Sequence, residues 1–270
     1  MSAGPIILDT SAGGRVEVLR HGAQVVRWTD AAGGEVLYLS PRSRFGAGAR
    51  IRGGIPVVFP QFAEQGPLPK HGIVRTAEWE LEESGTNRAV LRLADSADRR
   101  AVWDHAFEAE LRVELSDELT VTLSVINTGE DAFDFTAALH SYLHVGDIHR
   151  TAVHGLGGVR FRDKVLGGQL RVQETDELRF DSETDRIYLD APDEVWVRDE
   201  AEERTVVVTK RGFPDAVVWN PWAELAARTE DLGEDQYPRF VCVEAAQAGT
   251  PARLEPGARW EGAQTISITR

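Results

Sequence analysis

The sequence predicts an all-β protein, a large antiparallel β-sandwich. Three observations lead there: period-two alternation recurs along the chain, β-branched and aromatic residues crowd the alternating segments, and helical signal is scarce. A length of 270 residues admits one large all-β domain or two smaller ones. No internal repeat, low-complexity segment or long linker divides the chain, so one domain over residues 1–270 is the expectation.

Alternating segments start at Arg15, Ala23, Glu35, Ala77 and Ala89. The clearest follows: Phe107-Glu-Ala-Glu-Leu-Arg-Val-Glu-Leu115 puts every apolar residue on one face. Ser116-Asp117-Glu118 then reads as a turn, Leu119 to Val125 alternates again, and Asn127-Thr-Gly129 ends it, which is a hairpin signature. Further segments start at Phe133, Val195, Thr205, Ala216, Phe240 and Thr265. The best helical candidate is Pro221 to Leu232, with proline at its start and Gly233 after its end.

The net charge of −14 argues against non-specific binding to nucleic acid or an anionic membrane. No apolar run is long enough to span a bilayer, and no basic region followed by an apolar segment opens the chain, so no signal peptide is expected. Cys242 is the only cysteine, which excludes an intramolecular disulfide and makes a reducing cytoplasm the simplest home. No phosphate-cradling glycine motif and no nucleophile elbow occurs.

The loop from Ile51 to Trp79 holds four of the twelve prolines and two tight glycine sites, Gly53-Gly54 and His71-Gly72. Proline restricts φ and glycine permits positive φ, so this backbone is rigid and specified. It carries Arg52, Gln61, His71 and Arg75, side chains suited to gripping a ligand or to surface solvation alike. From Phe133, alternation puts Phe133, Phe135, Ala137 and Leu139 on one face. Asp134, Thr136, Ala138, His140, Tyr142 and His144 share the other. His140 is then either a functional imidazole or a hydrogen-bonded structural one. On a strand, His140 and His144 would lie about 13 Å apart, too far to share a metal.

Glu244 sits among small apolar residues in Phe240-Val-Cys-Val-Glu-Ala-Ala246. A buried carboxylate is costly without a partner, and desolvation raises its pKa toward the range of a general base. An edge-strand glutamate facing water is the alternative. Trp219 and Trp222 flank the turn at Asn220-Pro221, as a sugar-stacking platform or as core packing. Asp185 offers a further acceptor.

Six pieces in order carry a resemblance: R-G-G-I-P-V-V-F-P-Q-F from Arg52, H-G-I-V-R from His71, L-H-S-Y-L-H-V-G-D-I from Leu139, E-T-D-R-I-Y from Glu183, V-V-W-N-P-W from Val217 and V-C-V-E-A-A from Val241. Over nearly its whole length the chain resembles the aldose 1-epimerase (galactose mutarotase-like) superfamily, most closely the glucose-6-phosphate 1-epimerases. The resemblance implies a large antiparallel β-sandwich that interconverts α and β anomers of a hexose 6-phosphate, with no cofactor and no metal. It implies His140 as general acid and Glu244 as general base, with Arg52, Gln61, His71, Arg75 and Asp185 binding substrate. That mechanism asks for a histidine pKa above that of the glutamate. The expected form is a monomer whose partner is the hexose phosphate, without nucleic acid or membrane. The chain departs from the family at Ala63, where glycine is common, and at Ile73-Val74, where Phe-Ala is common. Three other readings stay open: a mutarotase for free sugars, a non-catalytic sugar-binding sandwich using Trp219 and Trp222, and a metal site of His71, His140 and Glu244.

Overall fold

The alternating segments pair into two large sheets and one small one, all with antiparallel ladders, in a computed structural model that describes residues 4–270. The nine-stranded sheet runs, in spatial order, Leu178–Arg179, Thr151–His154, Glu194–Asp199, Arg204–Arg211, Arg259–Thr269, Leu119–Asn127, Phe107–Leu115, Arg88–Ala94 and Glu80–Ser84. In the eight-stranded sheet the order is Gln169–Val172, Arg160–Asp163, Thr184–Tyr188, Asp215–Asn220, Phe240–Leu254, Phe133–Leu139 and Val57–Val58. Its eighth strand, Tyr142–His144, also pairs with Phe240–Leu254. Ile6–Asp9, Arg15–Val18 and Val25–Thr29 form the small sheet.

The predicted hairpin is present, with Leu115 paired to Leu119 across the turn and Phe107, Ala109, Leu111, Val113 and Leu115 all buried. Burying each large apolar side chain stabilises the fold by about 1.5–3 kcal/mol. The second hallmark of the architecture is a strand buried on both faces. Along Phe240–Leu254, Val241, Val243 and Ala245 enter the core between the large sheets. Cys242 and Ala246 point the other way, into two separate apolar clusters on the outer face of the eight-stranded sheet. One outer cluster contains Val58, Phe62, Ala138, Ile187, Val217 and Ala246, and the other Tyr38, Tyr142, Phe240 and Cys242. Glu244 lies between them on the same face of its strand.

Several elements differ from the sequence expectation. The helix spans Trp222–Arg228 rather than Pro221 to Leu232; Pro221 caps its start, and the chain turns at Thr229 before Gly233 adopts a φ of +95°. A second helix, Ala97–Val102, has a Ser96 side-chain cap and buries no residue, so no apolar stripe marks it in the sequence. The segment from Glu35 makes only isolated bridges. The final strand starts at Arg259, ahead of the expected Thr265, because Gly262 and Gln264 interrupt its apolar alternation. At Gly262 a Cβ would fall 2.5 Å from the Phe213 ring.

Candidate active site

The loop from Ile51 to Trp79 is laced to the strand that precedes His140. Thr136 N–H donates to the Pro60 carbonyl and His140 N–H to that of Pro56, at 2.9 and 3.0 Å. Close backbone approach explains the glycines. A Cβ at Gly54 would sit 2.1 Å from the Val25 carbonyl oxygen, and one at Gly72 would sit 2.0 Å from that of Phe59. His71 itself takes a positive φ of 65°, and Ala63 one of 48°. These two residues clasp each other: His71 N–H donates to the Ala63 carbonyl at 3.0 Å, and Ala63 N–H donates to His71 Nδ1 at 3.3 Å. An Nδ1 that accepts leaves the proton on Nε2.

The regular ladder between Phe133–Leu139 and Phe240–Leu254 ends at the Leu139–Ala245 pair and resumes at Tyr142–Cys242. His140 and Glu244 occupy the interruption. His140 Nδ1 lies 3.4 Å from Glu244 Oε1, with both residues buried. The imidazole stacks on the Tyr142 ring at 4.9 Å, and it meets Trp219 edge-on at 6.0 Å and His71 at 5.3 Å. Burial pushes the Glu244 carboxyl well up; Asp185 adds to this, while Lys164 and Arg75 oppose it. Burial pushes His140 well down, and the neighbouring His71 ring and the guanidinium groups of Arg75 and Arg52 add to that. Glu244 moves as the sequence predicts. His140 moves the opposite way from the order the acid–base mechanism asks for, since burial favours the neutral form of each group.

Arg52 is held in place. Its Nε donates to Asp231 Oδ1 at 3.1 Å and its Nη1 to the Tyr142 hydroxyl at 3.1 Å. Those two partners keep it fully protonated against the pull of burial. Arg75 follows Val74 in a single 3-10 turn, Val74–Thr76, and burial brings its pKa down to about 10. Among the described residues, Arg75 Nε, His140 Nδ1 and Glu244 Oε2 are buried with no hydrogen-bond partner within the protein. Buried polar atoms are rarely left so, and three of them among these residues make the cluster a candidate place for a polar ligand. Asp185 joins from the strand Thr184–Tyr188, 2.6 Å from Lys164 Nζ. His71 is surrounded by positive charge: burial, then Arg75, Lys70, Lys164 and Arg52, bring its pKa to about 2. Gln61 is nearby in sequence but already engaged. Its amide donates to the Ala63 and Leu68 carbonyls and accepts from Leu68 N–H, so it braces the loop.

Lys164 and Asp231 were not legible in the sequence as parts of this site, since no spacing or motif singles them out; Tyr142 was, by sharing the polar face with His140. The two indoles do not form one platform. Trp219 packs with Tyr142 and Phe240 on the outer face, whereas Trp222 packs against His149 and Tyr237 and joins the inner core. His144 turns to Glu202, 3.8 Å away. Among the described residues, no three His, Cys, Asp or Glu side chains converge as a metal-binding group.

The architecture matches solved structures over its full extent. The crystal structure of a "putative mutarotase (YeaD)" from Salmonella typhimurium superposes with a TM-score of 0.89 at 31% identity, covering 98% of this chain and 90% of that one. The fold is therefore a galactose mutarotase-like β-sandwich. Residues 5–267 match the aldose 1-epimerase family, and two proteins named "Putative glucose-6-phosphate 1-epimerase" are similar along most of their length. One, from Cenchrus ciliaris, is 37% identical over 93% of this chain and 80% of its own; the other, from Escherichia coli K12, is 35% identical over 93% and 85%. The chain belongs to the aldose 1-epimerase family, and it is an isomerase of the mutarotase kind.

Proposed function

We propose that this isomerase interconverts the α and β anomers of a hexose 6-phosphate, with glucose 6-phosphate the favoured substrate. The observation that carries the reading is the contact of His140 with Glu244 at 3.4 Å together with Arg75, whose buried Nε has no partner in the protein. The names of the similar plant and bacterial proteins point to the same substrate.

In ring opening, the Glu244 carboxylate takes the proton of the C1 hydroxyl. The C1–O5 bond breaks, its electron pair goes to O5, and O5 takes a proton from the His140 imidazolium. The products are an open-chain aldehyde, a protonated Glu244 and a neutral His140. Rotation about C1–C2 exposes the other face of the aldehyde. Closure reverses the transfers: His140 removes the O5 proton, O5 attacks C1, and Glu244 protonates the carbonyl oxygen. The pair carries one proton throughout, so both steps use the same two groups.

This cycle accounts for the directions of the two pKa shifts. The neutral pair favoured by burial is the state of the site when the open-chain sugar is bound. Ring opening needs the other arrangement, an imidazolium beside a carboxylate. Arg75 and Arg52 oppose that imidazolium, and a phosphate dianion paired with Arg75 offsets their charge. Arg52 already has Asp231, which leaves Arg75 as the principal phosphate ligand; Lys70 and Lys164 add positive field. Asp185 accepts from a sugar hydroxyl, His71 donates from Nε2, and Gln61 shapes the loop.

Exchange NMR on glucose and glucose 6-phosphate tests the reading. The expected result is enzyme-driven anomer exchange that is faster per unit concentration for the phosphate ester. Equal efficiency on both sugars would assign the chain to unphosphorylated aldoses, and no exchange on either would reject catalysis.

A further inference from the structure

We propose that Gln264, from the opposite sheet, is a positioning residue that holds the two halves of the acid–base pair in register. The inference rests on His140 and Glu244 as that pair. Gln264 lies on the strand Arg259–Thr269 of the nine-stranded sheet, paired with Lys210 and Val121. Its side chain is 1% exposed and reaches across the core to the eight-stranded sheet. There it meets the interruption in the ladder from behind. The Ser141 hydroxyl donates to Gln264 Oε1, and Gln264 Nε2 donates to the Val243 carbonyl at 3.1 Å.

Ser141 follows His140, and Val243 precedes Glu244. At this point Leu139 and Tyr142 are in regular pairing, but the residues between them are not. The backbone link remaining across the gap is Val243 N–H to the Ser141 carbonyl, at 3.2 Å. One amide therefore ties together the two peptide segments from which the imidazole and carboxyl project to the opposite face. A loose interruption would let both side chains drift, and a misplacement of about 1 Å can cost roughly a hundredfold in rate.

The glutamine serves the fold as well as the site, because it satisfies a buried hydroxyl and a buried carbonyl. The surrounding core is apolar, including Val243, Ala245 and Ile266. Replacing both members of a buried hydrogen-bonded pair by apolar groups of similar shape is often nearly neutral for stability. The Ser141 hydroxyl and Gln264 Oε1 are such a pair, whereas the Val243 carbonyl stays in place and loses its side-chain donor when Gln264 is replaced, so the folded fraction is measured for each variant. What the link adds is directional: it sets the spacing of two strands at one point.

The test is anomer-exchange kinetics of the purified chain on whichever sugar or sugar phosphate the wild type turns over best. The variants are Gln264→Met, Ser141→Ala, the double variant and, in parallel, Glu244→Gln. The expected result for folded Gln264→Met is a fall of about 10- to 100-fold in kcat with KM changed less than about twofold. Ser141→Ala gives a smaller fall, and the double variant is little worse than Gln264→Met, because both substitutions break one link. The limbs of the pH–rate profile also move, since they report a coupled pair whose separation has changed. Wild-type kcat and an unmoved pH profile in folded Gln264→Met would overturn the proposal, as would a loss that merely tracks the folded fraction. Should Gln264→Met not fold, Ser141→Ala, which removes one hydroxyl, decides by the same criteria. Near-wild-type activity in Glu244→Gln would instead overturn the acid–base assignment and this inference with it. An inactive Glu244→Gln beside a fully active Gln264→Met would overturn the positioning role alone.

Discussion

Glu244 combines two properties that oppose each other. Its 1% exposure and unpartnered Oε2 make it an expensive residue for the fold, and they suit the base role proposed for it. Glu244→Gln and His140→Asn should each lower kcat by at least about 10²-fold without unfolding the protein, since neither substitute can exchange the required proton. Exchange NMR with circular dichroism as the folding control checks this. The same substitution makes a thermodynamic prediction. Below the usual carboxyl pKa of 4.5, Glu244 is protonated in both folded and unfolded chains. As pH rises, the unfolded chain loses this proton while the folded one retains it, so the wild type loses stability until the folded group titrates. Glu244→Gln therefore gains thermal stability over wild type as pH is raised from 4 to 8, by about 1.4 kcal/mol for every tenfold difference in acidity between the unfolded and folded carboxyl. A difference in Tm that is constant across this range would show that the carboxyl is not held protonated. Arg75 carries the substrate prediction. Arg75→Ala should weaken use of glucose 6-phosphate by roughly ten- to hundredfold, the loss of a charge-assisted hydrogen bond, and affect free glucose far less. Equal losses in kcat/KM on both would remove Arg75 from the phosphate.

At the scale of elements, the loop from Ile51 to Trp79 is shaped by backbone contacts more than by its own apolar burial. Gly53, Gly54 and Gly72 each press against a carbonyl of a neighbouring segment. Ala63 and His71 both accept strain here, with φ of 48° and 65° in one clasp. An L residue in that region costs about 1–2 kcal/mol, a cost that glycine would not carry. Ala63→Gly should accordingly leave stability unchanged or raise it by up to about 1 kcal/mol, whereas Gly72→Ala should lower it by more than about 2 kcal/mol. Urea unfolding of the two variants measures both, and a destabilised Ala63→Gly would mean that the methyl group packs well enough to outweigh its backbone cost.

Across the molecule, one apolar core draws on residues from Ile6 to Ile266. The last strand, Arg259–Thr269, is inserted between Arg204–Arg211 and Leu119–Asn127, in the middle of the nine-stranded sheet. Such interleaving leaves no simple cut between halves. We expect a single cooperative thermal transition, with calorimetric and van't Hoff enthalpies in agreement and a circular dichroism spectrum dominated by β-structure. Two resolved transitions would divide the chain into separate domains. The acidic balance belongs to this scale as well: with a net charge of −14, a patch of Arg52, Arg75, Lys70 and Lys164 is a local exception, and the proposed phosphorylated substrate would be drawn to it against the overall field.

Local patterning by itself determined the class of fold, the faces of its strongest strands and the rigid loop, because period-two alternation and glycine or proline geometry act over a few residues. It separated Phe135 and Leu139 from His140, and it marked Glu244 as a carboxyl in apolar company. It read less where burial is two-sided or absent: the helix Ala97–Val102 has no buried face, and the strand Thr184–Tyr188 is short. The roles proposed for His140 and Glu244 rest on resemblance to a family. Tertiary structure alone decided that these two side chains touch, that Trp222 turns away from Trp219, that Lys164 meets Asp185 and that Gln264 stands behind the segments carrying His140 and Glu244. Each of those contacts depends on the order in which strands distant in sequence lie side by side and on which sheet faces which. That order is set by the burial of the whole core, and no periodicity within a single strand encodes it.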